Sequence, residues 1–159
     1  MALFGEELAA EIERRHGSPV QMMQLRAGIF DEASLSVITS DTVREIGRLA
    51  GRDADIRRFR PNVVIRSLRR EPFEEDGWVG GLLLFGDAGA GPAVAVTMRD
   101  ERCSMVNFDP DSARPAPELL KAVVRANQNT AGIYGSVVRR GPLAPGMTVR
   151  LEALSGRAV

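Results

Sequence analysis

Two short clusters carry the side chains best suited to chemistry. In RDERC, Arg99 to Cys103, the chain's single thiol follows two arginines, after one strand-like run and before another, SMVNF. Neighbouring guanidinium groups favour the thiolate, the form that attacks electrophiles and binds soft metals. A lone cysteine also fits an inert place in the core, and RDERC alone leaves both readings open. In RRFRPNVVI, Arg57 to Ile65, three arginines precede the rigid Pro61, and Asn62 stands at the mouth of a strand where its amide can donate and accept. Such a group could hold a phosphate or a heterocycle edge. It could equally be a solvated loop in which Asn62 caps its own turn.

The remaining polar features point to structure. His16 precedes Gly17 without a visible acidic or metal-binding partner and reads as a dipole partner at a helix end. Glu74, Glu75 and Asp76 are contiguous and lack ligand spacing, as expected of a solvated turn. GDAGAGP has neither the lysine of a phosphate-binding loop nor the pattern of a dinucleotide turn. Trp78 is expected to fill core.

The elements that must position these residues follow from periodicity. Leu3 to Arg15 places Phe4, Leu8 and Ile12 on one helical face, and Gly17 ends it. Pro19 to Leu25 and Leu35 to Ile38 suit strands. In SDTVREIGRLAG, Thr42 and Glu45 have capping-box spacing, Val43, Ile46 and Leu49 share a face, and Gly51 stands at the stop. RDADIRR reads as a loop. Strands are expected near Asn62 to Leu68, Trp78 to Gly86, Ala93 to Met98 and Met147 to Leu154, with a helix near Glu118 to Ala126 opened by Pro117. Gly80 and Gly81 hint at a bulge or a barrel corner. The fold class is therefore mainly β with flanking helices (α+β), a β-barrel or strongly coiled mixed sheet.

Composition bounds the function. A chain of 159 residues with 44% apolar residues, 26% charged residues and zero formal net charge has the profile of one ordinary globular domain. Nothing in the bulk charge points to nucleic acid or an anionic membrane, and no stretch approaches a membrane span. One cysteine excludes an internal disulfide, and the acidic N-terminal segment lacks the form of a signal peptide, so the expected setting is cytoplasmic. Lys121 is the only lysine; the other twenty cations are arginines. Codon bias accounts for such a skew, yet it bears on chemistry, because guanidinium groups bind phosphate bidentately and form no Schiff base.

Taken in order, GIFDEASLSVIT, RRFRPNVVI, PFEEDGWVGGLLLFG, RCSMVNFDPDS and YGSVVRRGPLAPGMTVRL resemble the MOSC domain, the C-terminal type of molybdenum-cofactor sulfurase. The resemblance runs from about Gly28 to Leu151, so that 1–159 reads as one MOSC domain with residues 1–27 as an N-terminal helix and lead-in. By pattern the chain is similar to the amidoxime-reducing component group. The resemblance implies a mixed β-barrel, the molybdenum cofactor (molybdopterin), Cys103 as catalytic residue and metal ligand, and Arg60, Asn62 and Arg102 as cofactor-binding residues. Two departures stand out. Fuller members carry a separate N-terminal β domain, for which about thirty residues leave no room. Asp100 and Glu101 also place carboxylates where an anionic cofactor would be repelled.

Three functions are compatible with this resemblance. The first is an oxidoreductase module that reduces N-hydroxylated compounds with electrons from a separate redox partner protein. The second is a sulfur (persulfide) carrier or cofactor-sulfuration module using Cys103 with a cysteine desulfurase as partner. The third is a non-enzymatic remnant that binds a partner. Resident pyridoxal phosphate is not expected, since Lys121, the one candidate for a Schiff base, falls on a helix.

Overall fold

The structure, a computed structural model, describes residues 6–21, 33–86 and 90–153. The chain divides into two units, residues 1–31 and residues 32–159. In the first, α1 (Glu6–His16) has Glu6 and Glu7 in its first turn and Arg14, Arg15 and His16 in its last, complementing the helix dipole at both ends. Glu11 accepts from Arg14 and Arg15, each at 2.6 Å. Gly17, at φ 79°, ends the helix by donating to Glu13 O at 2.8 Å. Pro19, Val20 and Gln21 have no regular structure, and the rest of the strand expected there lies outside the described residues.

The second unit is a six-stranded mixed sheet curled into a half-barrel. Its strands are β1 (Leu35–Thr39), β2 (Val63–Ile65), β3 (Gly81–Phe85), β4 (Ala93–Glu101), β5 (Thr130–Arg139) and β6 (Val149–Ala153). They run in the order β2-β1-β5-β4-β3-β6, which leaves β2 and β6 at the two edges. Among the described strands only β1 and β2 pair in parallel. The expected barrel-like α+β fold is thus present.

Two helices, α2 (Ser40–Ala50) and α3 (Pro117–Asn127), cover one face of the sheet. Ile38 meets Val43 and Ile46 of α2, Leu119 and Val123 of α3, Phe59 and Ala131 in a first core. Val37, Ile65, Leu83, Phe85, Val94, Val96 and Ile133 form a second on the opposite face. Strand alternation sends Val37 and Ile38 to different cores. Ala131 and Ile133 should share a face, yet they also divide between the two cores. Gly132, at φ 86°, stands between them and breaks the alternation. A Cβ there would lie 2.7 Å from Val37 O and 3.0 Å from Arg102 Nη2, so only glycine fits.

Several expected boundaries move. The helix α2 is capped by Thr39 and not by Thr42, because the Thr39 side chain accepts from Thr42 N at 3.2 Å. Leu49, expected on the core face, is 44% exposed, since the loop after Gly51 packs at Gly47 instead. RDADIRR is not a plain loop: Asp55 caps a 3-10 turn at Ile56–Phe59. The strand expected from Trp78 starts at Gly81 because Glu74–Trp78 is a 3-10 turn, and β4 runs on past Met98 to Glu101.

Candidate functional site

The end of β4 sets the orientation of Cys103. Alternation buries Asp100 and Arg102 and turns Glu101 and Cys103 outward. Inside, the Arg102 guanidinium donates from Nε to Ala131 O at 2.7 Å and from Nη1 to Phe59 O at 2.8 Å, and its Nη2 lies 2.8 Å from Asp100 Oδ2. The guanidinium also lies over the Phe59 ring, 5.5 Å from its centroid. Burial pushes Arg102 down from its ordinary value, and Asp100 opposes the shift. The repulsion expected from Asp100 is therefore offset by a buried counter-charge one residue before the thiol.

The same network reaches the arginine-rich segment. Asp100 Oδ2 accepts from Ser36 Oγ at 2.8 Å, and Ser36 N donates to Asn62 Oδ1 at 2.8 Å. Asn62 N donates back to Ser36 O at 2.9 Å. Phe59, whose carbonyl Arg102 grips, belongs to the same FRPN run as Asn62. So the chain of contacts Asn62–Ser36–Asp100–Arg102 connects the two motifs, with Cys103 at its outer end.

The arginines of this corner divide by task. Arg57 pairs with Asp55 at 2.7 Å and Asp111 at 2.6 Å, and both contacts raise it further above its ordinary value, Asp111 more than Asp55. Arg58, buried, donates to Asn107 O at 2.9 Å and pairs with Asp109 at 2.8 Å. Asp109, taking hydrogen bonds from Ser112 N and Oγ and Asp111 N beside Arg58, is held down at about 2. These contacts fasten the FRPN segment to the DPDS turn that follows Cys103. Arg60 differs: it is exposed, at φ 49°, with no ion pair among the described residues. A non-glycine residue in the left-handed region costs about 1–2 kcal/mol, and such strain gathers at functional positions.

The acidic run is not a solvated turn. Glu75 is fully buried and accepts from Thr39 N at 3.3 Å, Thr39 Oγ1 at 2.9 Å and Thr42 Oγ1 at 2.9 Å. It supplies from a distance the reciprocal half of a capping box, the carboxylate that bonds the N-cap amide. Burial raises its pKa, and the hydrogen bonds oppose the shift. Asp76 pairs with Arg99 at 3.0 Å, and Asn127 Nδ2 donates to it at 2.8 Å. Arg99 is thus engaged at the end of α3. The sequence signal for these roles was the apolar setting of EEDGW between strands, which contiguity of charge masked.

Residues 6–150 match the MOSC domain. The chain belongs to the MOSC domain family. In fold it is similar to the YUAD protein from Bacillus subtilis, at 20% identity and a TM-score of 0.60, covering 79% of this chain and 66% of that one. It is also similar to YiiM from Geobacillus stearothermophilus, at 22% identity and a TM-score of 0.56, covering 75% of this chain and 54% of that one. The chain therefore spans just under two thirds of the first and about half of the second. No curated protein matches it.

The family is associated with the molybdenum cofactor. The donor set of this MOSC domain suits such a group. Among the described residues no cluster of three or more His, Cys, Asp or Glu could hold a metal ion; Cys103 offers one exposed thiol, and the FRPN segment that Arg102 grips carries exposed Arg60. A single soft donor with guanidinium groups fits a metal that brings its own ligands and an anionic tail, and does not fit a bare cation. Arg102 is committed to protein partners, so its place in such a site is beneath Cys103. No helix among the described residues is long and apolar enough to cross a membrane.

Proposed function

We propose that this MOSC domain binds the molybdenum cofactor at the end of β4 and takes part in the reduction of N-hydroxylated compounds, with electrons from a separate protein. The observation that supports it most is that Arg102 pins the strand carrying Cys103 and grips Phe59 of the FRPN segment with the same guanidinium. Cys103 would give its thiolate to the metal, Arg60 would meet the phosphate, and Asn62 would meet the pterin edge with one hydrogen of its side-chain amide, whose oxygen is held by Ser36 N. When bound, the cofactor supplies the redox chemistry. The protein's part is to hold the thiolate outward, to keep Asp100 neutralised beneath it, and to fix the FRPN turn through Arg57 and Arg58. The test is reduction of benzamidoxime by a chemical reductant, using protein made in a host that synthesises the cofactor. Activity that falls more than about tenfold in Cys103→Ser supports the reading. Loaded wild-type protein without activity, or full activity in the variant, overturns it.

The exposure of Cys103 favours a second reading, a persulfide carrier. Its thiolate would attack the outer sulfur of a donor persulfide, and the donor would leave as a thiolate, so that one sulfur moves without net oxidation. Mass spectrometry after incubation with a persulfide donor separates the two readings: a one-sulfur adduct on Cys103, with no molybdenum under cofactor-supplying expression, selects the carrier.

A further inference from the structure

The half-barrel is open between its edge strands, and the opening is lined. Asn62 and Val64 from the β2 edge, Phe85 from β3, Val149 from β6, and Leu143 and Met147 from the preceding turn surround a groove of about 410 Å³. Phe85 belongs to the second core, and Met147 and Val149 pack against it, so the floor of the groove is the core itself. Val64 and Leu143, at 46% and 44% exposure, form its walls. Among the described residues no charged side chain lines it, in a chain that is 26% charged. Asn62 is its polar side chain, the same residue whose carboxamide oxygen ties the FRPN segment to Ser36.

We propose that this seam is a binding site for a neutral, mainly apolar small molecule bearing one hydrogen-bond acceptor. Three features select that occupant. The volume matches a small organic molecule, for which sites of about 300–1,000 Å³ are usual. The described lining offers no counter-charge, so an ionic ligand would lose its hydration there without compensation. The side-chain nitrogen of Asn62, not engaged by Ser36, carries two hydrogens, and the one not turned to the pterin edge is the donor that orients the molecule. The inference rests on the proposed function for the ligand's identity: it assigns the apolar body of an N-hydroxylated compound to the seam, with Asn62 linking it to the Cys103 corner.

The test uses full-length Cys103→Ser protein, so that binding is read apart from thiol and metal chemistry. Benzamidoxime is titrated by calorimetry, while fluorescence of Trp78, which packs against the same core as Met147 and Val149, reports location. A saturable heat with a matching Trp78 change is expected, weakened by about tenfold or more when a carboxylate enters the apolar wall in Leu143→Asp or Val64→Asp. Both positions are exposed, and circular dichroism checks that the variants fold. Absence of saturable heat, or equal affinity in both aspartate variants, overturns the proposal. So does a dimer in sedimentation that Leu143→Asp dissociates, because the seam is then covered by a second copy of the chain. Molybdenum content is not read here, so loss of the cofactor assignment leaves a positive titration standing.

Discussion

Asp100 and Glu75 are both buried carboxylates, at 1% and 0% exposure, and they are held in opposite ways. Asp100 meets a guanidinium, Arg102, at 2.8 Å. Glu75 has no ion pair at contact distance among the described residues and is held by two hydroxyls and the Thr39 amide. The paired acid lies beneath Cys103, where a charge without its counter-ion would act directly on a thiolate or an anionic ligand. The acid held by hydroxyls sits at the start of α2, where it satisfies the helix end and joins two segments of the scaffold. Of these two acids, the one at the candidate site has a counter-charge and the one in the frame has neutral donors.

The comparison breaks most severely at Arg102. Replacement by Met leaves Asp100 buried without its cation and frees the Phe59 and Ala131 carbonyls, which is expected to cost about 3–5 kcal/mol in urea unfolding. Arg102→Lys should recover only part of it, because one ammonium cannot span three acceptors in a fixed fork. Gly132→Ala attacks the same network from the other side. A methyl group at φ 86°, 2.7 Å from Val37 O and 3.0 Å from Arg102 Nη2, should cost about 3 kcal/mol.

Glu75→Ala should cost less, about 2 kcal/mol, since the donors left behind are neutral and two of them are hydroxyls free to rotate. Its pH dependence has a definite sign. Burial raises the folded-state pKa of Glu75 above 4.5, so its contribution is full below the unfolded value and is lost as pH rises through the raised one. Asp109 works the other way: held at about 2 against an ordinary 3.8, its contribution is present above the ordinary value and is lost as pH falls toward 2. Unfolding curves from pH 2 to 8 should therefore lose the upper slope in Glu75→Gln and the lower one in Asp109→Asn.

The smallest expected effect has the reverse sign. Arg60→Gly removes the cost of a left-handed arginine and should stabilise the fold by about 1 kcal/mol, measured by thermal unfolding, while weakening any anionic ligand. Stability gained with binding lost would place Arg60 at the site, where local strain is kept for function.

The elements with clean periodicity were legible in the sequence. The core faces of β1 and α2 follow from Val37, Ile38, Val43 and Ile46, and α3 opens at Pro117 as expected. Less legible was everything fixed by a partner far along the chain. Thr42 and Glu45 have capping-box spacing, but the carboxylate that completes the cap is Glu75, because tertiary folding brings it to Thr39. β5 is not among the strands expected from periodicity, and at its start Gly132 breaks the alternation on which that reading depends. The two chemical motifs were visible as clusters of arginine and cysteine. Which arginine faces out was not, because Arg57, Arg58 and Arg102 find their acids and carbonyls only in the fold.

The most direct test of the Cys103 site is the molybdenum and pterin content of wild-type and Cys103→Ser protein purified from a host that makes the cofactor. Cys103 is exposed, so the substitution should change stability by less than about 0.5 kcal/mol. Removal of the thiolate takes away a soft ligand that a hydroxyl cannot replace near neutral pH. Molybdenum and pterin present together in the wild-type protein, with metal lost in an equally stable variant, is the expected result. A clear loss of stability in Cys103→Ser with no molybdenum in either protein would make Cys103 structural and contradict the account.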